Sequence, residues 1–355
     1  MGAERASMYD VAILGLGPAG ATLARLIDPA LKVIAVDPRA EGTGLVKPCG
    51  GLLAPDAQKA LARFALTLPK DVLVDPQVFS VRTVDLQTGL ARHYQRFYIN
   101  LDRLKFDHWL RSLIPERVTR LEGVAARAIE RTPGGFKVLL SDGQTIECRH
   151  LVGADGANSL VRRFLYPGYK PRAYVAIQQW FEGGDERPFY LCVFDPANTD
   201  CYSWGLSKDG RLLFGGAYPP QDCRARFERQ KEAMALRGMN LSQPLSTESC
   251  MVLRPRGLKD LKCGHGGAFL VGEAGGFISP SSLEGISWAI ETARLLAESL
   301  STPDSNRAYL ARSRALRLKL LGKELKSPFL YRPALRRMVM RSGLKSITVD
   351  HPPRG

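Results

Sequence analysis

The chain has 355 residues, 45% of them hydrophobic and 24% charged, which is the composition of a globular protein with ample core. No apolar run reaches the roughly 18 residues of a membrane span, and nothing in residues 1–9 reads as a signal peptide. Seven scattered cysteines without a CxxC pair argue against a zinc site or a disulfide framework and point to a reducing cytoplasm.

The net charge of +15 is uneven, because residues 301–355 carry 13 Lys or Arg against 3 Asp or Glu. A basic tail suits an anionic membrane surface, an acidic partner or a solvated helix. No nucleic-acid-binding motif accompanies the charge, so nucleic acid is not expected as a partner.

Residues 9–14 form an apolar strand. A helix is expected at 19–26 and a second strand at 32–37, giving a βαβ unit with glycines at its first turn. Residues 43–55 read as a Gly/Pro-rich loop, and 78–86 with 90–98 as a hairpin around Gln87–Gly89. A helix is expected at 100–113, then three antiparallel strands over 123–152. Residues 172–218 are rich in strands and aromatic side chains. Helices are expected at 223–236 and 287–300, with a strand at 268–272 between them. On 307–326, Leu310, Leu318, Leu321 and Leu325 fall on one helical face, opposite Arg312, Lys319, Lys323 and Lys326.

Three motifs carry chemistry. Gly15, Gly17 and Gly20 fit GxGxxG: a tight turn, a close backbone approach to a pyrophosphate, and close packing of helix on strand. The following helix N-terminus suits phosphate. Asp37 ends the second strand, where an acid can bind a ribose hydroxyl. This motif alone does not separate FAD from NAD. Asp155-Gly156 and Gly272-Glu273 each follow a short apolar strand, and their carboxylates can accept from ribose or ribityl hydroxyls. The helix starting near Gly285 would aim amides at a flavin ring. The competing reading makes Asp155 a turn residue and Glu273 a solvated acid. Three motifs together favour a flavin dinucleotide, which is long enough to be held at three places.

These segments resemble the FAD-dependent oxidoreductases of the aromatic-hydroxylase fold group, and within it the geranylgeranyl reductase family, most closely its CbrA-like branch. The resemblance runs over nearly the whole chain, with Glu273 where most relatives have Asp. It implies an α/β (α+β) fold: a Rossmann-like FAD-binding domain with an inserted antiparallel β-sheet substrate domain. The FAD-binding domain would be discontinuous (8–75, 98–165 and 253–303), with 76–97 and 166–252 as the substrate domain and 304–355 as a basic helical region. Arg103-Leu-Lys-Phe-Asp107 matches the family's Arg-x-x-Phe-Asp helix, which places Arg103 near the cofactor; a surface ion pair is the other reading. Lys47-Pro-Cys49-Gly50-Gly51 resembles the family's cysteine–glycine loop beside the flavin, with Cys49 a proton donor or a small wall residue. Tyr202-Ser-Trp204-Gly-Leu-Ser-Lys208 resembles the motif YxWxFPK, with Leu206-Ser207 in place of Phe-Pro. Tyr202 and Trp204 share a strand face and either line an apolar site or belong to ordinary sheet core.

The resemblance implies reduction of carbon–carbon double bonds of an apolar polyprenyl substrate by hydride from N5 of reduced FAD. NAD(P)H or a reduced electron-transfer protein would be the donor. The expected place is the cytoplasm, with possible peripheral attachment to the inner membrane face. The rival readings are an FAD-dependent monooxygenase or halogenase on the same fold, and a non-catalytic FAD protein that binds polyprenyl lipid.

Overall fold

A computed structural model of the chain describes residues 8–40, 47–183 and 189–349. Residues 1–7, the start of the loop expected at 43–55, part of the strand-rich stretch at 172–218 and the last six residues of the basic tail lie outside the described residues.

The first sheet is a parallel stack with an antiparallel flank. Its strands run in the order Gly264–His265, Ala268–Leu270, Thr145–Gly153, Tyr9–Leu14, Val33–Asp37, Thr119–Glu122. All neighbours in this order are parallel except the short edge strand Gly264–His265. Ala126–Thr132 and Gly135–Leu140 add an antiparallel hairpin against Thr145–Gly153. Val11, Ala12, Ile13 and Leu14 are buried, as a central parallel strand covered on both faces requires.

Helices Pro18–Leu26 and Ile286–Leu300 pack together on one face of this sheet. Their contact is made by small residues. The turn Gly272–Gly275 slots between them, where a Cβ on Gly272 would lie 3.1 Å from Ala19 Cβ and 3.5 Å from Ala289. Twelve of the fifteen residues of Ile286–Leu300 are buried, so this helix is core almost all round.

The second sheet has seven strands, in the order Pro244–Leu253, Ala173–Glu182, Arg211–Tyr218, Ser203–Lys208, Phe189–Phe194, Ser80–Asp85, Ala91–Gln95. It differs from the expected antiparallel sheet at one junction, because Phe189–Phe194 runs parallel to Ser80–Asp85. Those two segments arrive from distant parts of the chain, so no tight turn dictates an antiparallel pairing. Helix Cys223–Ala235 covers one face. The other face meets the nucleotide-type sheet through Trp204, Tyr190, Tyr174, Ala157 and Ile278.

Several elements were not legible as such, among them the edge strand Thr119–Glu122. Helix Pro55–Arg63 follows the expected loop, overlapping it only at Pro55, its first position. Strand Pro244–Leu253 pairs along nearly the whole of Ala173–Glu182, although its first half is largely exposed and polar. The tail also differs from a single helix over 307–326. It is divided at Ser313 into Ser305–Arg312 and Arg314–Tyr331, followed by Pro333–Ser342. Leu310 therefore belongs to a different helix from Leu318 and Leu325, and the buried face of the second helix is made by Leu320 and Ser327.

Candidate functional site

The parallel strands end side by side. Leu14 pairs with Val36 on one side and Gly153 on the other, and Gly153 pairs with Leu270. The turns that follow carry Gly15, Asp37, Asp155 and Gly272-Glu273, so all three motifs converge on the carboxyl edge of one sheet. In open α/β sheets that edge is where ligands bind.

The glycine turn is fixed by sterics. Gly15 has φ +98°, and a Cβ there would sit 2.6 Å from Ala154 O. A Cβ on Gly20 would lie 1.8 Å from Gly15 O, so the helix could not start where it does. Among the described residues, the only atom within reach of a Cβ added at Gly17 is an Arg39 guanidinium nitrogen at 3.9 Å, and at Gly156 nothing lies within 4 Å. The turns are thus packed on the protein side and open on the other. Helix Pro18–Leu26 has no side-chain cap, which leaves its first amides as free donors beside Gly17.

Asp155 is held by the amides of Leu160 (2.7 Å) and Val161 (3.5 Å) on Oδ2 and lies against the Ser159 side chain, while its buried Oδ1 has no hydrogen-bond partner among the described residues. Burial raises its pKa above the ordinary carboxylate value. An orphaned buried oxygen at a strand end is what a hydroxyl-bearing ligand would satisfy. Gly285 caps Ile286–Leu300 without a side-chain hydrogen bond, so this helix also presents free amides.

Asp37 and Glu273 do not wait open at their strand ends. Asp37, 1% exposed, takes the amide of Leu16 at 2.5 Å and the Arg39 amide and guanidinium at 2.9–3.0 Å, with an Arg111 guanidinium nitrogen 3.0 Å away. Burial pushes its pKa up, but these cations and amides outweigh it and hold it below the ordinary value. Its carboxylate ties the glycine turn to the second strand, and Arg39 is the half-buried end of that tie. Glu273 accepts the Leu253 amide at 2.8 Å and is paired with Lys47. It joins the third motif to both the cysteine–glycine loop and the second sheet.

Arg103 is not on the surface. Its side chain is 11% exposed and pairs with Asp107 at 2.9 Å, and it also lies in hydrogen-bonding and electrostatic contact with Cys49. Burial opposes its charge, but Asp107 and Cys49 raise its pKa further. The sulfur of Cys49 accepts from the Gly51 amide at 3.4 Å. Next to it, a Cβ on Gly50 would be 3.8 Å from Trp204. Tyr202 and Trp204 stack edge to face with centroids 6.1 Å apart, and Tyr202 donates to Ser282 O at 2.5 Å. The Trp204 indole nitrogen is buried without a partner. Cys49, Trp204 and Tyr202 are therefore brought together, at the junction of the two sheets.

Three groups here are given no role by the sequence reading, although Lys47 and Lys208 lie within its motifs. Arg39 carries no motif of its own. Lys208, at the end of the Tyr202–Lys208 segment, is 6% exposed, and its ammonium meets Asn100 Oδ1 and Leu101 O, both at 2.6 Å, and Gly51 O at 3.4 Å. With no carboxylate in contact, burial lowers its pKa to about 8. The strand alternation that placed Trp204 facing the site also places Lys208, four residues on, on the same face. Among the described residues no cluster suits a metal ion, and the seven cysteines are unpaired.

This architecture is that of the FAD-binding flavoproteins of the aromatic-hydroxylase type. It is similar to a geranylgeranyl bacteriochlorophyll reductase-like protein from Thermoplasma acidophilum, with a TM-score of 0.76 and 19% identity over 92% of this chain and 88% of that one. It is also similar to Klebsiella pneumoniae HpxO, solved with FAD and uric acid, with a TM-score of 0.67 and 17% identity over 94% and 92%. The chain belongs to the family of the CbrA proteins: it is 52% identical to Protein CbrA of Escherichia coli O157:H7 over 346 residues, 96% of this chain and 98% of that protein. The family model described as Lycopene cyclase protein matches residues 10–235. The likeness to geranylgeranyl reductases holds at the level of fold.

Proposed function

We propose that this protein is an FAD-dependent oxidoreductase that reduces carbon–carbon double bonds of an apolar, polyprenyl-type substrate. The observation that carries the reading is the meeting of Cys49, Gly50 and Trp204 beside three strand-end motifs, so that an aromatic wall faces a dinucleotide cradle.

The residues present fit FAD. The open turn at Gly17 and the uncapped amides after it would hold the diphosphate, with Gly15 and Gly20 shaping the turn and Arg39 and Arg103 supplying positive charge. Asp155 Oδ1 would accept from a hydroxyl, and Gly156 and Gly272 keep the neighbouring backbone low. The amides after Gly285 would meet the polar edge of the ring system. Asp37 and Glu273 would act by fixing the turns rather than by direct contact.

When bound, FAD supplies a hydride and is regenerated by NAD(P)H or a reduced electron-transfer protein. The chain's own residues do the rest. Tyr202 and Trp204 offer aromatic surface to an apolar chain and would stabilise positive charge developing on it. Cys49, beside Arg103, would give the proton that completes addition of two hydrogens across the double bond. The Tyr190, Phe194 and Trp204 side chains exclude water from the junction.

The test is anaerobic. The protein is reduced with candidate donors and given prenyl lipids, and the products are weighed by mass spectrometry. A gain of two hydrogens per reduced bond supports the reading. Oxygen consumption with incorporation of oxygen or halide into an aromatic substrate would assign the same site to a monooxygenase or halogenase. Lipid binding with a flavin that no donor reduces would make it a binding protein.

A further inference from the structure

Helix Arg314–Tyr331 has two different faces. Leu320 and Ser327 are buried against the body of the protein. Leu318, Leu325 and Phe329, spaced by seven and four residues, line up on the opposite side and expose 51%, 69% and 48% of their surface. Arg314, Lys326 and Arg332 are exposed around this stripe, and none is paired with a carboxylate among the described residues. Two other cations of the helix behave differently: exposed Lys319 and half-buried Lys323 both reach Asp56. The next helix repeats the pattern, with Arg337, Met338 and Arg341 exposed and Arg336 and Met340 buried. No helix of the described chain is long and apolar enough to cross a membrane.

We propose that this outward face docks on an anionic phospholipid bilayer. Leu318, Leu325 and Phe329 would sit at the acyl boundary, with Arg314, Lys326 and Arg332 among the headgroups. Two observations select a lipid surface as the occupant. The apolar stripe is flanked by the unpaired cations Arg314, Lys326 and Arg332, so an anionic plane complements it. The same helix ends in Tyr331, whose hydroxyl donates to Ser281 O at 2.6 Å. The Tyr331 ring lies 5.7 Å from Phe194, itself 6.5 Å from Tyr202. The C-terminal end of the helix thus adjoins the aromatic cluster, so a membrane held on its outward face would bring an apolar substrate near that cluster. This last step rests on the proposed function; the docking does not.

The full chain is sedimented with vesicles of phosphatidylcholine alone or mixed with an equal amount of phosphatidylglycerol. Binding to the mixed vesicles is expected to exceed binding to phosphatidylcholine by about tenfold or more. The variant L318S/L325S/F329S and the variant R314Q/K326Q/R332Q should each lose most of that binding, while their melting temperature and flavin content stay those of the parent chain. The proposal is overturned if the parent chain ignores the mixed vesicles, or if both variants bind as it does. It is also overturned if the parent chain ignores vesicles but self-associates and the leucine variant is monomeric, since the stripe would then face a second copy. Sedimentation reads neither bound flavin nor turnover, so its failure is separate from failure of the reductase reading.

Discussion

Gly50 and Trp204 meet across the boundary between the two sheets, with room for a methyl group between them: a Cβ on Gly50 would be 3.8 Å from the indole Cδ1. Gly50→Ala should therefore be tolerated. Gly50→Leu should push into Trp204, cost about 1–3 kcal/mol of stability by overpacking, and slow turnover while FAD is retained. Thermal melts and flavin content on both variants, with turnover on a prenyl substrate, check this. Equal turnover by Gly50→Leu and the parent chain would remove this contact from the active site.

Cys49→Ala should keep FAD and lose turnover if the thiol gives the proton. Arg103→Lys should act through it, because lysine keeps the charge but loses the paired geometry with Asp107. The pH profile of turnover is the discriminating readout, since a purely structural loss at Arg103 would lower the profile without moving it.

Asp155→Ala should weaken FAD retention by about 1.5–3 kcal/mol, the worth of a hydrogen bond to a charged group. The pH effect on the flavin-free protein has a definite sign. The folded-state pKa of Asp155 is raised by burial, so the folded chain binds more protons than the unfolded one between the two values. Its contribution to stability is present at low pH and falls as pH rises through the folded value. Asp155→Asn should flatten that part of a pH series of urea melts.

Lys208 has the opposite signature. Its folded pKa is about 8 against 10.5 for the free side chain, so between these values the unfolded chain binds the extra proton. Stability should rise with pH across that window, by on the order of 3 kcal/mol. Lys208→Met should lose that rise. A parallel pH dependence in the two proteins would mean that Lys208 is not a buried, unpaired cation.

The tail is pinned by an ion pair. Arg336 and Asp85 are 4% and 0% exposed by side chain and 3.0 Å apart, and the guanidinium also lies 4.9 Å from the Phe194 ring centroid. Arg336→Ala leaves Asp85 buried and unpaired, which costs about 3–5 kcal/mol. Faster proteolysis confined to the residues after Ser313 would locate the loss at the tail; uniform proteolysis would not.

Much of this was legible in the sequence. Gly15, Gly17 and Gly20 announced the first turn because their reasons are local, a tight bend and a helix start. The helix Ile286–Leu300 and the strand Tyr9–Leu14 were plain from apolar pattern. What escaped was set by tertiary contact. Asp37 looked like a ligand acid, but Arg39, Arg111 and the Leu16 amide claim it, and Arg111 comes from another element. Glu273 likewise looked free until Lys47 and Leu253, distant in sequence, closed on it. Strand Pro244–Leu253 lacks a hydrophobic alternation because one end of it is exposed; its partner strand determines it. In the tail, periodicity points to Leu310, Leu318, Leu321 and Leu325 as one stripe, but Leu310 falls on another helix, Leu318 and Leu325 face out, and the leucine that packs inward is Leu320.

The central claim is that three strand ends hold FAD. It is tested most directly by denaturing the purified protein and identifying what it releases. The expected result is a yellow protein that releases FAD noncovalently, close to one per chain, with Asp155→Ala folded but largely colourless. Release of a nicotinamide dinucleotide without flavin, or failure to take up added FAD, would contradict it.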